Sequence, residues 1–240
     1  MQIAIRKDSL MSRKRILSAC VKLFIEKGYI NTTMSEIISE AEVSNSTFQN
    51  LFHSKSGVLM DLVEFMFDKQ FQVARQFPLG ESEPVLIYAL ETSIQMTITE
   101  LNENLREIYL EAYSFPQTCE YIYRRTSEEL FKIFGAYQPE CSESDFYELE
   151  IGTAGIMKNY MAKKCDMYFT LEKKLERFLT MSLGVYRVPE EDIARVLNYI
   201  GQIDIKSVAN KVMHALFKEL EMEFHFEFDN IYINKAEVSV

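Results

Sequence analysis

The sequence predicts an all-α fold: a small N-terminal helix-turn-helix head followed by a larger C-terminal multi-helix bundle. Apolar residues recur at helical spacing along most of the chain. The breaks between these runs fall at Pro, Gly and capping residues. Between Thr32 and Leu59 two short amphipathic patterns sit about four residues apart, and a longer apolar helix follows at once.

The first helix is expected from about Leu10 to Lys27, where Ile16, Ala19, Cys20, Leu23 and Phe24 recur on one face. Gly28 suits its C-terminal cap. Thr33 and Glu36 have the spacing of a capping box that starts a second helix, with Ile37, Ile38 and Ala41 on its apolar side. Ser44 can cap a third, in which Phe48, Leu51 and Phe52 form one stripe. The opposite face carries Asn45, Ser46, Gln49 and Asn50. Four uncharged hydrogen-bonding side chains there suit base-edge reading in a major groove, and they equally suit plain solvation. Ser54 can cap a fourth helix whose first residue, Lys55, and free amides would meet a phosphate.

That fourth helix should run to about Gln76, and Pro78-Leu79-Gly80 breaks it in the best linker of the chain. The body then reads as helices at 83–104, 105–115, 116–137, 142–164, 171–186, 189–202 and 205–223, with Pro116 and Pro189 in first turns. The tail admits two readings. Phe224, Phe226 and Phe228 alternate around Asp229-Asn230 as in a hairpin that would join a dimer interface, whereas Phe224, Phe228 and Ile231 fit a continued helix.

Net charge is −10, yet residues 1–60 hold eight basic and five acidic side chains, so the head is basic and the body acidic. Such a dipole favours phosphate at the head, although a random fluctuation has the same form. Arg6, Lys7, Arg13, Lys14 and Arg15 make either an N-terminal arm for DNA or a solvated basic end. There is no run of about eighteen apolar residues and no signal-peptide pattern, which leads to an expectation of a cytoplasmic protein without a membrane partner. Cys20, Cys119, Cys141 and Cys165 lack CxxC spacing and are expected as reduced thiols. His53, His214 and His225 match no ligand motif, so neither a metal nor a cofactor is expected. With no paired nucleophile and base and no phosphate loop, an enzyme is disfavoured.

Residues 10–66 resemble the DNA-binding domain of TetR-family transcriptional regulators. The match lies in Leu23, Phe24, Glu26, Lys27, Gly28 and Tyr29, then Thr32-Thr33, Ile37, the turn Ala41-Glu42-Val43-Ser44, and Thr47, Phe52, Ser54, Lys55 and Leu59. The resemblance implies a head at 1–54 and a regulatory and dimerisation domain at 55–240. It also implies a homodimer, operator DNA as partner and a small-molecule effector in the body. On this reading Thr33, Ser44, Thr47, Gln49 and Lys55 hold phosphates, while Asn45, Ser46 and Asn50 face bases. Tyr88, Tyr109, Tyr113, Phe131, Phe134, Met157 and Tyr160 are candidates to line an effector pocket, each with the alternative of being ordinary core.

Three departures from the family pattern stand out. Glu42 replaces a Gly in the turn, Ser46 and Gln49 replace a Gly and a phosphate-binding Tyr, and the recognition helix has no Lys or Arg. They keep a second function open, a TetR-like protein-interaction module with weakened or lost DNA binding.

Overall fold

The computed structural model describes residues 2–76 and 84–220, and those residues form eleven α-helices. The helix-turn-helix is α2 (Met34–Glu40) and α3 (Asn45–Phe52), packed on α1 (Gln2–Lys27). Next comes α4 (Lys55–Gln76), which contacts α1 and α3 on one side and α5 (Pro84–Leu101), α6 (Glu103–Ala112) and α7 (Pro116–Phe134) on the other. A single 3-10 turn at Gly135–Tyr137 ends α7. The body is completed by α8 (Glu143–Ala162), α9 (Leu171–Val185), α10 (Glu190–Gln202) and α11 (Ile205–Glu219).

The body is built around α5. Nearly every residue from Val85 to Leu101 is buried, and α5 touches every helix from α4 to α11. A helix buried all round must satisfy its polar groups internally. Thr92, Thr97 and Thr99 do so by donating to the carbonyls of Tyr88, Ser93 and Met96 at 2.7–2.8 Å. The two carboxyls of α5 are treated differently. Glu100 is paired at 2.5 Å with the fully buried Lys174 and at 3.0 Å with Arg106, and it accepts from the Cys165 amide at 3.1 Å. Glu91 has no cationic partner among the described residues.

Most sequence-predicted boundaries fall within a few residues of the observed ones. Two differ for physical reasons. Helix α1 begins at Gln2 rather than near Leu10, so the basic segment at Arg6 and Lys7 extends a helix instead of forming an arm. Asn102 interrupts the predicted 83–104 helix, because its extended backbone lets its side chain accept from the amides of Asn104 and Leu105 and start α6. The linker around Pro78 and the hairpin-or-helix tail at 224–233 lie outside the described residues.

The turn between α2 and α3 places Glu42 at φ 50°, in the left-handed region. A side chain there costs about 1–2 kcal/mol, part of which a glycine returns through its greater freedom in the unfolded chain. Glu42→Gly should therefore raise the melting temperature by about 1–3 °C, read by circular dichroism; an unchanged or lower value would count against strain at this turn.

Candidate nucleic-acid interface and body cavities

The head is held by reciprocal caps. The Thr33 hydroxyl accepts from the Glu36 amide at 3.3 Å, and a Glu36 carboxylate oxygen accepts from the Thr33 amide at 2.8 Å. Lys27 pairs with the same carboxylate and, with Thr33, holds it down to about 2. At α3 the Ser44 hydroxyl accepts from the Thr47 amide at 3.0 Å. It also lies 2.8 Å from the hydroxyls of both Ser46 and Thr47, so three hydroxyls gather at the N-terminus of this helix. Beneath them Phe48 and Phe52 are buried, with rings 6.0 Å apart, while Leu51 is only partly covered.

Opposite that stripe, Asn45, Ser46 and Asn50 are exposed and Gln49 is partly so, on a helix with no charged residue. Thr33 and Ser44 are exposed beside them, with Thr47 partly covered. The surface thus presents amides and hydroxyls around the free N–H groups of one helix start, a chemistry able to bond base edges and phosphate oxygens.

The surrounding cations are largely engaged with the protein's own groups. Arg13 pairs with Asp61 and lies over the Phe52 ring, Lys22 pairs with Glu40 at 2.5 Å, and Arg15 donates to the Glu42 carbonyl at 3.4 Å. Lys55 is turned away from the surface. Its ammonium donates to the carbonyls of Tyr29 and Thr32 at 2.7 and 2.9 Å and lies 4.2 Å from the centre of the Tyr29 ring. Burial lowers its pKa, and the facing carboxylates Glu107 and Glu111 work against that. Lys55, a residue expected at a phosphate, here forms a clasp between the start of α4 and the loop after α1.

The same loop is gripped by α6. The Ile30 amide donates to Glu107 at 2.6 Å, and the Asn104 side chain donates to the Ile25 carbonyl at 2.7 Å. Gly28, at φ 89°, brings the loop so close that a Cβ would sit 2.5 Å from a Glu107 oxygen. At the start of α4 a Cβ on Gly57 would lie 2.1 Å from the Phe52 carbonyl oxygen. Neither close approach is visible in the helical periodicity.

Residues 16–62 match the family profile described as bacterial regulatory proteins, tetR family. Over those residues the chain is similar to the TetR family. A curated relative, the uncharacterized HTH-type transcriptional regulator YuxN of Bacillus subtilis (strain 168), is 30% identical over 94 residues, which are 39% of this chain and 30% of that protein's length. The chain is also similar in structure to a gamma-butyrolactone receptor (ArpA-like protein), with TM-score 0.42, 14% identity and coverage of 87% of this chain and 99% of that one. For a putative TetR-family transcriptional regulator from Syntrophomonas wolfei the values are 0.41, 22%, 83% and 95%. For Salmonella enterica GusR they are 0.40, 18%, 88% and 95%.

Behind this head, the body holds two neighbouring cavities that share Gln95, Tyr113 and Thr126 as walls. The first, about 40 Å³, lies between α4, α5, α6 and α7 and includes Met66, Gln70 and Tyr109. The second, about 20 Å³, is walled by Tyr88, Glu91, Glu150 and Met157. The predicted pocket residues therefore divide. Tyr88, Tyr109, Tyr113 and Met157 line cavities, but Phe134 is core, stacked on Tyr186 at 4.4 Å between centroids. Phe131 is 39% exposed against Phe146, and Tyr160 lies against Phe169 and Phe178 with its hydroxyl 3.5 Å from the Met181 sulfur.

Sequence reasoning missed Glu91 and Glu150, which are 2% and 5% exposed. Glu91 accepts from the Gln95 amide, whose oxygen accepts from the Tyr113 hydroxyl at 3.3 Å. Glu150 accepts from Thr153 at 2.8 Å, and the Tyr186 hydroxyl lies 2.7 Å from that same Thr153 hydroxyl. Burial pushes Glu91 up to about 7 and, helped by the facing Glu91, Glu150 up to about 8. No aligned apolar pattern marks them, since each occupies a helical position that reads equally well as solvent.

A carboxyl whose folded pKa is raised stabilises the fold fully below its unfolded value, near 4.3, and this contribution is lost as pH rises through the folded value. For Glu91 and Glu150 that window runs from about pH 4.5 to about 8. The double variant Glu91→Gln, Glu150→Gln should remove the decline, so its melting temperature should gain on the wild type by at least about 3 °C between pH 5 and pH 9. Parallel melting curves across that range would exclude buried ionisation here.

Proposed function

We propose that this chain is a ligand-responsive transcriptional repressor that binds operator DNA as a homodimer, with residues 1–54 as the reading head and 55–240 as the regulatory and dimerisation domain. The exposed, uncharged face of α3 carries the reading. Asn45, Ser46 and Asn50 stand clear of the protein at the end of a rigid, doubly capped helix pair. Asn presents a donor and an acceptor together, the pair that adenine matches in the major groove. In this reading Thr33, Ser44, Thr47 and Gln49 bond phosphates, and Lys55 acts on phosphate contacts by fixing the loop at 29–32. Two heads in a dimer would enter major grooves about 34 Å apart.

The α6 helix supports ligand response. Asn104 and Glu107 hold the head, while Ile108, Tyr109 and Ala112 wall a cavity on the same ten-residue helix. A ligand that fits one setting of α6 better than another would shift the heads between spacings that do and do not match DNA. Pairing of two copies through the outer side of α8 and α9 is supported by Ile151 and Met181, 45% and 47% exposed, beside Gly152, Gly155 and Gly184, which have open space around them.

The protein-interaction alternative draws on the pairing of Arg13, Lys22 and Lys27 with the chain's own carboxylates, which lowers the charge available for counterion release. DNA selected from random pools separates the two. Asn50→Ala should weaken binding to the selected duplex by about 1–3 kcal/mol and leave random DNA unchanged, as followed by fluorescence anisotropy. Failure to enrich any sequence would favour the interaction module. The double change Ile151→Asp, Met181→Asp should yield a monomer in sedimentation equilibrium; an intact dimer would move the interface elsewhere.

A further inference from the structure

Among the described residues, buried carboxyls in this body come in two kinds. Glu100 is held by Lys174 and Arg106, both almost fully buried, as a charge removed from water requires. Glu91 lies on the same helix with equal burial, yet no Lys, Arg or His lines either cavity among the described residues. One Glu91 oxygen accepts from Gln95. Across the same cavity Glu150, from α8, is bonded only by hydroxyl groups. The remaining walls are aromatic or soft: Phe71, Tyr88, Tyr113, Met157 and Phe178.

Two carboxyls without a counter-charge, set in aromatic walls, form the complement of a positive charge on an apolar body. Ring faces attract cations, and a desolvated carboxyl gains most from a cation that is itself weakly hydrated. Building on the proposal that the body binds an effector, we propose that the effector is a compact organic cation, an ammonium or guanidinium head on an apolar group, seated between Glu91 and Glu150.

In the empty cavity both carboxyls carry protons at acidic pH; on entry of the cation a carboxyl gives its proton to solvent and the resulting carboxylate pairs with the ligand. The other ionisable groups near these carboxyls are the hydroxyls of Tyr88, Tyr109, Tyr113 and Tyr186, all pushed above their ordinary value by burial, so they stay neutral through this range.

The test uses the full chain and benzyltrimethylammonium, whose charge does not change with pH, against benzyl alcohol and benzoate as neutral and anionic counterparts. Isothermal titration at pH 6 in buffers of different ionisation enthalpy should show the cation binding with release of about one proton. The affinity should tighten toward pH 9 and drop on the order of tenfold or more in Glu91→Gln, Glu150→Gln. The melting temperature of that variant checks that it is folded. Equal binding of benzyl alcohol or benzoate, an undiminished cation affinity in the variant, or no cation binding at all would overturn the proposal. Anisotropy with the selected duplex keeps the two claims apart. Cation binding that leaves DNA affinity unchanged supports the site and defeats ligand response, whereas DNA release by a neutral or anionic ligand at the cavity does the reverse.

Discussion

The head is fastened to the body by the grip of α6 on the loop that follows α1. Glu107 takes the Ile30 amide, Asn104 gives a hydrogen bond to the Ile25 carbonyl, and Gly28 allows the approach that makes both possible. Lys55 closes the loop from the other side by donating to Tyr29 and Thr32. Every one of these groups is a backbone atom at a helix end or a side chain aimed at one, so the orphan groups that end α1 double as the attachment for the rest of the molecule. A displacement of α6 must either carry the loop with it or break these hydrogen bonds, at a cost of about 0.5–1.5 kcal/mol each.

The other face of α6 is set by α5. Arg106, pinned to Glu100, fixes α6 along its axis, while Tyr109 and Tyr113 reach over the cavities toward Gln70 and Gln95. The contrast between Glu100 and Glu91 on one buried helix gives the body its chemical polarity. One end is a closed ion-pair network, in which removing a partner would strand a charge. The other is a pair of acids whose pKa burial raises, beside a small cavity. Two carboxyls of similar exposure on one helix thus differ in whether a cation faces them.

Much of the fold was legible in the sequence because its helices are bounded by strong local signals. The Thr33 and Glu36 capping box, the Ser44 cap, Gly28 and Pro116 all act where their local chemistry places them. At Glu42 only the resemblance, which places a glycine there, pointed to strain, and the left-handed φ itself is a finding of the structure. The side-chain roles were less legible. Lys55 at a helix start reads as a phosphate ligand, and its bonds to the Tyr29 and Thr32 carbonyls cannot be read from the sequence. Phe131, Phe134 and Tyr160 share the helical spacing of the cavity residues, and only the packing of Tyr186 and Phe146 separates core from wall. Glu91 and Glu150 lie 59 positions apart in the chain and meet through the tertiary arrangement of α5 and α8, which no periodicity records.

Binding free energies couple reciprocally, so a body that controls the head must itself respond when DNA is bound. Amide hydrogen exchange of the full chain, with and without the selected duplex, tests this without knowledge of any effector. Coupling through α6 predicts that DNA changes protection at residues 103–113 and along the cavity side of α4, together with the head. Changes confined to residues 2–54 would contradict it.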